Sequence, residues 1–116
     1  MADVATLIQD MLFSSKVREA AKATGLTVQS TRDPAAFAAA AREAKLAIVD
    51  LRLPVASAAL EALQALSPRP RTVGFVDHER TDVMDAARAQ GAEVMAKGQF
   101  ANALPKLFGA LKQVRS

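Results

Sequence analysis

The stretch KLAIVDLRLP, residues 45–54, is the part of the sequence most informative about the fold class. Four apolar residues, 46–49, are followed by the carboxylate of Asp50 and then, four residues later, by Pro54. A short apolar run bounded by turn residues is typical of a strand buried on both faces, as in a parallel sheet. A buried charge is costly unless it is paired or binds a metal. Asp50 therefore marks either a solvated strand end or the centre of a site.

Similar apolar runs recur along the whole chain, at residues 4–8, 26–29, 46–49, 72–76 and 93–96. Helix-like segments separate them, which is the alternation of a parallel α/β sheet. The sequence has helix starts at Asp33-Pro34, Pro54 and Thr81-Asp82, and helix ends at Gly25, Ala44 and Gly91. We predict a flavodoxin-like, doubly wound (βα)5 fold with strand order 2-1-3-4-5.

The last predicted helix has an apolar stripe and one proline. Its apolar residues recur at helical spacing, as Phe100, Leu104, Leu107, Leu111 and Val114. Pro105 is tolerated in a first turn, where its missing N–H does not matter. We therefore expect this helix to begin near Asn102.

Composition restricts the class of protein. The length of 116 residues indicates a single domain over residues 1–116, and 51% hydrophobic residues suffice for a core. There are no cysteines, which excludes disulfides and thiolate chemistry. No apolar run is long enough to span a membrane, and no basic region precedes the N-terminal apolar stretch, so we expect a cytoplasmic protein.

The charge pattern argues against direct nucleic-acid binding. The formal net charge is only +3, and the chain has no Trp or Tyr that could stack on bases. The basic residues are spread along the chain, apart from Arg69 and Arg71 in SPRPR. A dense basic stripe is therefore missing.

Three charged residues follow predicted strands. Asp10 follows the first strand, Asp50 ends the third and Lys97 ends the fifth. Ligands of doubly wound sheets bind at the carboxyl ends of the strands, at the switch point between strands 1 and 3. We therefore expect Asp10, Asp50 and Lys97 to meet at one sheet edge, with Asp50 paired to Lys97, Arg52 or both.

The order and spacing of these residues resemble the receiver domains of two-component response regulators, of the chemotaxis-regulator type. Asp50 and Pro54 match the phosphoacceptor motif of Asp, three residues, then Pro. Gln90-Gly91-Ala92 resembles the Ala-Gly-Ala after the fourth helix, and Lys97 and Asp10 match the family's lysine and the second residue of its acidic pair. The resemblance runs from about Val4 to Leu111.

The resemblance implies a role for each site residue. Asp50 would accept a phosphoryl group and Lys97 would pair with it. Mg²⁺, which prefers oxygen ligands, would bind Asp10, Asp50 and the backbone carbonyl of Arg52. Gln9 stands at the first position of the acidic pair and brings no negative charge, so any Mg²⁺ binding would be weak.

Other positions depart from the family pattern. The switch hydroxyl at the end of strand 4 falls at Val76 or Asp77, and neither can donate a hydrogen bond as Ser or Thr would. The switch aromatic of strand 5 falls at Val94. Arg52 could reach Asp50 and replace the metal as its charge partner. These departures indicate that phosphorylation is weak or absent.

We therefore expect a stand-alone, receiver-like signalling module rather than an enzyme. It would be a monomer or weak dimer and would contact a partner signalling protein, with a histidine kinase as one candidate. The first alternative is a conventional Mg²⁺-dependent phosphoaccepting regulator. A second is a flavin or nucleotide binder, although no glycine-rich phosphate loop is present. A scaffold role, a metal site of His78 with Asp77, and acid–base chemistry by Asp10, Asp50 and His78 are the remaining alternatives.

Overall fold

The computed structural model of the protein describes residues 2–115, and their side chains as far as residue 112. Val114 of the predicted apolar stripe lies outside the described side chains. Five strands and five helices alternate along the chain. The strands are β1 (Val4–Leu7), β2 (Val28–Thr31), β3 (Leu46–Asp50), β4 (Arg71–Val76) and β5 (Glu93–Ala96). The helices are α1 (Met11–Thr24), α2 (Pro34–Ala41), α3 (Ala56–Gln64), α4 (Thr81–Ala89) and α5 (Lys97–Arg115).

All strands are parallel, and their order in the sheet is β2-β1-β3-β4-β5. The predicted doubly wound fold is confirmed. β1 lies between β2 and β3, so the chain reverses its direction of travel across the sheet beside β1 and β3. This is the switch point at which such sheets open a crevice for ligands.

The core forms two layers, one on each face of the sheet. On one face, α1 and α5 pack through Phe13, Val17, Phe100 and Phe108 against β-strand side chains that include Phe75. On the other, α2, α3 and α4 pack through Phe37, Leu60, Leu63 and Ala87. The central strand β3 is buried throughout, from Leu46 to Asp50. Covering both faces explains why its sequence is continuously apolar rather than alternating.

Strand β2 begins two residues later than predicted, at Val28 instead of Leu26. The reason lies at the end of α1, where Gly25 adopts a left-handed φ of 73°. The next amide, that of Leu26, then donates to the carbonyl of Ala21. This is the reverse turn that commonly closes a helix. Leu26 thus belongs to the helix cap and the α1–α5 core rather than to the ladder.

The helix starts were predicted with mixed success. Asp33 caps α2 as expected, since its carboxylate accepts from the Ala36 amide at 2.8 Å, but α2 ends at Ala41 rather than Ala44. Helix α3 begins at Ala56 and not at Pro54, because residues 51–55 form turns. In α4 the cap position is Arg80, without a side-chain bond, so the predicted Thr81-Asp82 cap is wrong.

The predicted start of α5 at Asn102 is also wrong. The helix begins at Lys97, directly after β5, and Pro105 lies in its interior. Phe100 and Leu104 are buried on the same helix face, so an earlier start adds a turn of core packing. The side chain of Gln99 accepts from the Ala96 amide at 3.2 Å and stabilises this start. No helix within residues 2–115 is long and apolar enough to cross a bilayer.

Candidate functional site

Asp50 lies at the carboxyl end of β3 with its side chain only 3% exposed. Its backbone is paired with β4, opposite Phe75, whereas the pairing of β3 with β1 ends one residue earlier. The chain then turns, with the Leu53 amide donating to the Asp50 carbonyl at 3.2 Å. Within this turn the Arg52 amide donates to Asp50 Oδ1 at 3.0 Å, which is a side-chain-stabilised turn typical of Asp. The turn brings Arg52 back over the carboxylate that precedes it.

The guanidinium of Arg52 binds both oxygens of Asp50. Nε donates to Oδ1 at 2.9 Å and Nη2 donates to Oδ2 at 2.8 Å. This forked geometry is the strong form of an Arg–carboxylate pair. Hydrogen bonding to Asp50, followed by its charge, raises the pKa of Arg52 above its ordinary value, so the guanidinium is cationic at every working pH.

The same guanidinium also reaches Asp10, across the switch point of the sheet. Nη2 donates to Asp10 Oδ2 at 3.2 Å, while Asp10 Oδ1 caps α1 by accepting from Leu12 and Phe13. The Phe13 amide bond is the largest cause of a lowered pKa at Asp10, and the Arg52 bond adds to it. Arg52 therefore joins the ends of β1 and β3.

Two aromatic rings lie against the Arg52 guanidinium. The Cζ atom is 5.7 Å from the ring centre of Phe13 and 5.7 Å from that of Phe75. A cation over the face of an aromatic ring is attracted by the ring quadrupole. From the sequence, neither phenylalanine was assigned to the site. Their contact with Arg52 depends on the β3–β4 register and on the position of α1, neither of which is visible in local sequence.

Lys97, Asp77 and His78 lie at the neighbouring strand ends, β4 and β5. Lys97 Nζ forms an ion pair of 2.8 Å with Asp77 Oδ1. This bond is the main cause of a lowered pKa at Asp77, with smaller contributions from the charges of Arg52 and Arg80. Asp77 and Lys97 each follow a paired residue, since Val76 lies opposite Ala96. Strand adjacency places these two residues side by side, but it does not by itself show that Lys97 pairs with Asp77 rather than with Asp50.

The remaining site positions are apolar or solvated. Val76 is fully buried, and Val94 is half-buried against the α2–α3–α4 layer. Gln9 is exposed. His78 has an 81% exposed side chain, and Glu79 is 3.8 Å from it. This is the geometry of a loop histidine rather than of a metal ligand. Asp10 and Asp50 thus meet through Arg52, whereas Lys97 forms an ion pair with Asp77.

These residues do not fit a magnesium ion as they stand. All four carboxylate oxygens of Asp10 and Asp50 already accept hydrogen bonds, and Arg52 supplies donors to three of them. A divalent ion between the two acids would lie against the guanidinium charge. Within the described residues, no group of three or more Asp, Glu or His side chains is placed to hold a metal.

No protein-family model matches the chain, and no curated protein matches its sequence. Solved structures match well. The receiver domain of NtrX from Brucella abortus has a TM-score of 0.77 at 18% identity, over 96% of this chain and 98% of that one. The chemotaxis response regulator CheY4 of Vibrio cholerae has a TM-score of 0.75 at 19% identity, over 96% and 98%.

A third likeness is to the receiver domain of the sensor histidine kinase PA1611 from Pseudomonas aeruginosa PAO1. Its TM-score is 0.76 at 13% identity, and the match covers 97% of this chain and 98% of that one. In that protein a magnesium ion is coordinated in the active-site cleft. At such low sequence identities, a structural likeness shows only that the backbone folds agree. The chain therefore has the receiver-domain fold of response regulators.

Proposed function

We propose that the protein is a signalling module, a single receiver-like domain over residues 1–116, that works through contacts with a partner protein. Phosphorylation at Asp50 would be weak or absent. The fold supports the signalling role, because it is shared with the receiver domains of NtrX and PA1611 and with CheY4. The reduced role of phosphorylation rests on the side chains at the ends of β4 and β5.

The observation that carries this proposal is the ion pair of 2.8 Å between Lys97 and Asp77. By the resemblance, Lys97 is the residue that would pair with a phosphoryl group on Asp50. Here it already has an anionic partner within the chain. A phosphoryl group would have to displace Asp77 and would be repelled by its charge, since like charges at short range disfavour each other.

The positions that would respond to phosphorylation are also altered. Val76 has no hydroxyl to donate to a phosphoryl oxygen, and it is fully buried in the core. Val94, at the switch position of β5, is not aromatic and is smaller than an aromatic residue. A phosphoryl group on Asp50 would therefore have no side chain through which to move the surface formed by α4, β5 and α5. We propose that this surface contacts the partner in the unphosphorylated protein.

The partner would be another signalling protein, with a histidine kinase as one candidate. We further propose that the module is cytoplasmic, is a monomer or weak dimer, and carries out no enzymatic turnover of its own. These statements follow from the receiver resemblance.

A direct test is incubation with acetyl phosphate and Mg²⁺, read by intact mass. We expect the wild-type protein to gain no stable phosphoryl group. The Asp77→Thr variant frees Lys97 and returns a hydroxyl to the end of β4, so it should gain more than wild type. Asp50→Asn in the Asp77→Thr background is the matched control, because it removes only the acceptor oxygen.

A wild-type protein that accumulates one phosphoryl group, lost in Asp50→Asn, would contradict the proposal. That outcome would favour the conventional phosphoaccepting regulator. The burial of Asp50 at the end of β3, bonded through Arg52 to Asp10, is the observation that keeps this second function in view.

A further inference from the structure

The Arg52 guanidinium occupies the position between two acids where receivers would hold a divalent ion. Its Nη2 atom is 2.8 Å from an oxygen of Asp50 and 3.2 Å from an oxygen of Asp10. The two carboxylates come from β3 and from the β1–α1 junction, and they have no other charged partner in the described part of the chain. One cation therefore bridges the switch point.

The position of Arg52 is determined by more than charge. Its own amide is tied to Asp50 Oδ1 at 3.0 Å, which limits the directions that its side chain can take. The rings of Phe13 and Phe75 flank the guanidinium, each 5.7 Å from Cζ. Three-quarters of the side chain is shielded from solvent. A cation held by a short turn, two acids and two rings is a built feature rather than a mobile surface arginine.

We infer that Arg52 is a resident cation that takes the place of a divalent metal at this sheet edge and excludes it. The inference deepens the proposed function and rests on it only for the assignment of Asp10 and Asp50 to the site. Two carboxylates and one guanidinium leave a net charge of −1. Removing the guanidinium leaves two acids in a partly desolvated cleft, with Asp10 Oδ2 and Asp50 Oδ2 released from their hydrogen bonds. Such oxygens are the ligands that Mg²⁺ prefers.

The test is a Mg²⁺ titration followed by amide spectra of wild type, Arg52→Ala and Arg80→Ala. Arg80 is the matched control, because it is a half-exposed arginine near the same edge whose ion-pair partner is Asp82, not Asp10 or Asp50. We expect saturable shifts in the Arg52→Ala variant near residues 10–13 and 50–53. The Mg²⁺ concentration that gives half-saturation should be at least about tenfold lower for Arg52→Ala than for wild type and for Arg80→Ala.

Loss of Arg52 could also impair folding, so thermal melts with and without Mg²⁺ provide a second readout. An ion that binds only the folded state raises the melting temperature of the protein. Mg²⁺ should raise it for Arg52→Ala and should not do so for the double variant Asp10→Asn/Arg52→Ala. The Arg52→Lys variant keeps the positive charge, and we expect it to fold. Its single ammonium cannot bind Asp50 through two parallel bonds, so it should show intermediate Mg²⁺ affinity.

Two results would overturn the inference: an Arg52→Ala protein with wild-type Mg²⁺ affinity, or an equal gain in Arg80→Ala. Neither result would affect the proposed function, which is decided by whether the wild-type protein accepts a phosphoryl group. Conversely, phosphorylation of the wild type would contradict the proposed function, whatever Mg²⁺ affinity the Arg52 variants have.

Discussion

Asp50 and Arg52 show how two residues of local sequence can contain both a buried charge and its neutralising partner. The Asp50 side chain is 3% exposed, and an unpaired carboxylate at that depth would strongly destabilise the fold. Arg52 follows two residues later, and the turn that begins at Asp50 directs its guanidinium back. Asp50 can therefore be buried without a metal or a second subunit.

Truncation of Arg52 and truncation of Lys97 should lower the free energy of unfolding by very different amounts. Arg52→Ala leaves Asp50 buried and unpaired beside Asp10, so we expect a loss of about 2–4 kcal/mol, less than for a fully buried pair because Arg52 is partly exposed. Lys97→Ala breaks a pair whose side chains are about 40% exposed. Water can then solvate the Asp77 carboxylate, so the free energy of unfolding should change little. Urea denaturation at neutral pH measures both losses.

Asp50→Ala provides the matched comparison for this prediction. In this variant Arg52 would still form its ion pair with Asp10 and would remain partly exposed to solvent. The variant should therefore lose less stability than Arg52→Ala. A loss in Lys97→Ala as large as that in Arg52→Ala would show that the acids are held by Lys97 instead. That was one of the pairings that the sequence left open.

At the scale of elements, three phenylalanines join the site to the α1–α5 layer. The rings of Phe13 and Phe75 are 4.9 Å apart, and those of Phe75 and Phe100 are 4.5 Å apart, both in stacked arrangements. They come from α1, β4 and α5, and the Arg52 guanidinium lies against the first two. The early start of α5 is what brings Phe100 into this stack, since Phe100 precedes the predicted start at Asn102.

Helix α5 retains a locally unfavourable residue in its interior. Pro105 cannot donate a helical hydrogen bond, and it is exposed, so its ring adds little to the core. We expect Pro105→Ala to stabilise the protein by about 1–3 kcal/mol, because proline is the poorest residue for a helix interior. Thermal or urea unfolding measures the gain.

Asn102→Ala is the control for this change, as Asn102 is exposed on the same helix. It should gain only about 0.5 kcal/mol, the ordinary difference in helix propensity between Asn and Ala. A loss of stability in Pro105→Ala would mean that the proline makes a favourable contact or bends α5 onto the sheet. Equal gains in the two variants would mean that the proline carries no special penalty.

Across the whole molecule, carboxylates with lowered pKa values lie at both ends of the sheet. The pKa of Glu93 is lowered by two bonds from Arg71, of 2.6 and 2.9 Å, which join β4 and β5 near their beginnings. At the opposite end, a hydrogen bond from the Phe13 amide lowers the pKa of Asp10, and Lys97 lowers that of Asp77. Each carboxylate is therefore more readily ionised in the folded chain than in the unfolded one.

The sign of the pH dependence follows directly. A lowered pKa means that the folded state binds fewer protons than the unfolded state, so stability is lost as the pH falls. Ordinary values are 3.8 for Asp10 and Asp77 and 4.5 for Glu93. We expect constant stability from neutral pH to about pH 5 and a progressive loss between about pH 5 and pH 3. Urea midpoints measured across this range test it.

Glu93→Gln isolates one contribution to this acid sensitivity. The variant keeps the size of the side chain but no longer titrates, so its stability should be lower at neutral pH and should fall less on acidification. If stability increased on acidification in the wild type, these carboxylates would not be stabilised in their charged forms.

The overall architecture could be predicted from the sequence because its causes are local. Apolar runs at regular intervals, separated by helix-like segments, imply parallel strands with crossover helices, and parallel strands share one carboxyl edge. Asp50 was therefore assigned to the end of β3, next to Asp10, which follows β1. Element ends were less predictable. The start of β2 depended on a turn closing α1, and the start of α5 depended on burying Phe100.

Local sequence was enough to predict the alternation of strands and helices and the charged residues that follow strands, because hydrophobic periodicity acts residue by residue. The strand order was predicted as the common one for a doubly wound sheet. The sequence left open which cation would neutralise which acid. The folded chain shows that Arg52 binds Asp50 and Asp10 while Lys97 binds Asp77. These pairings could not be read from local sequence, because ion pairing depends on distance, direction and exclusion of water. Those quantities exist only once β3, β4, β5 and α1 have packed around the site.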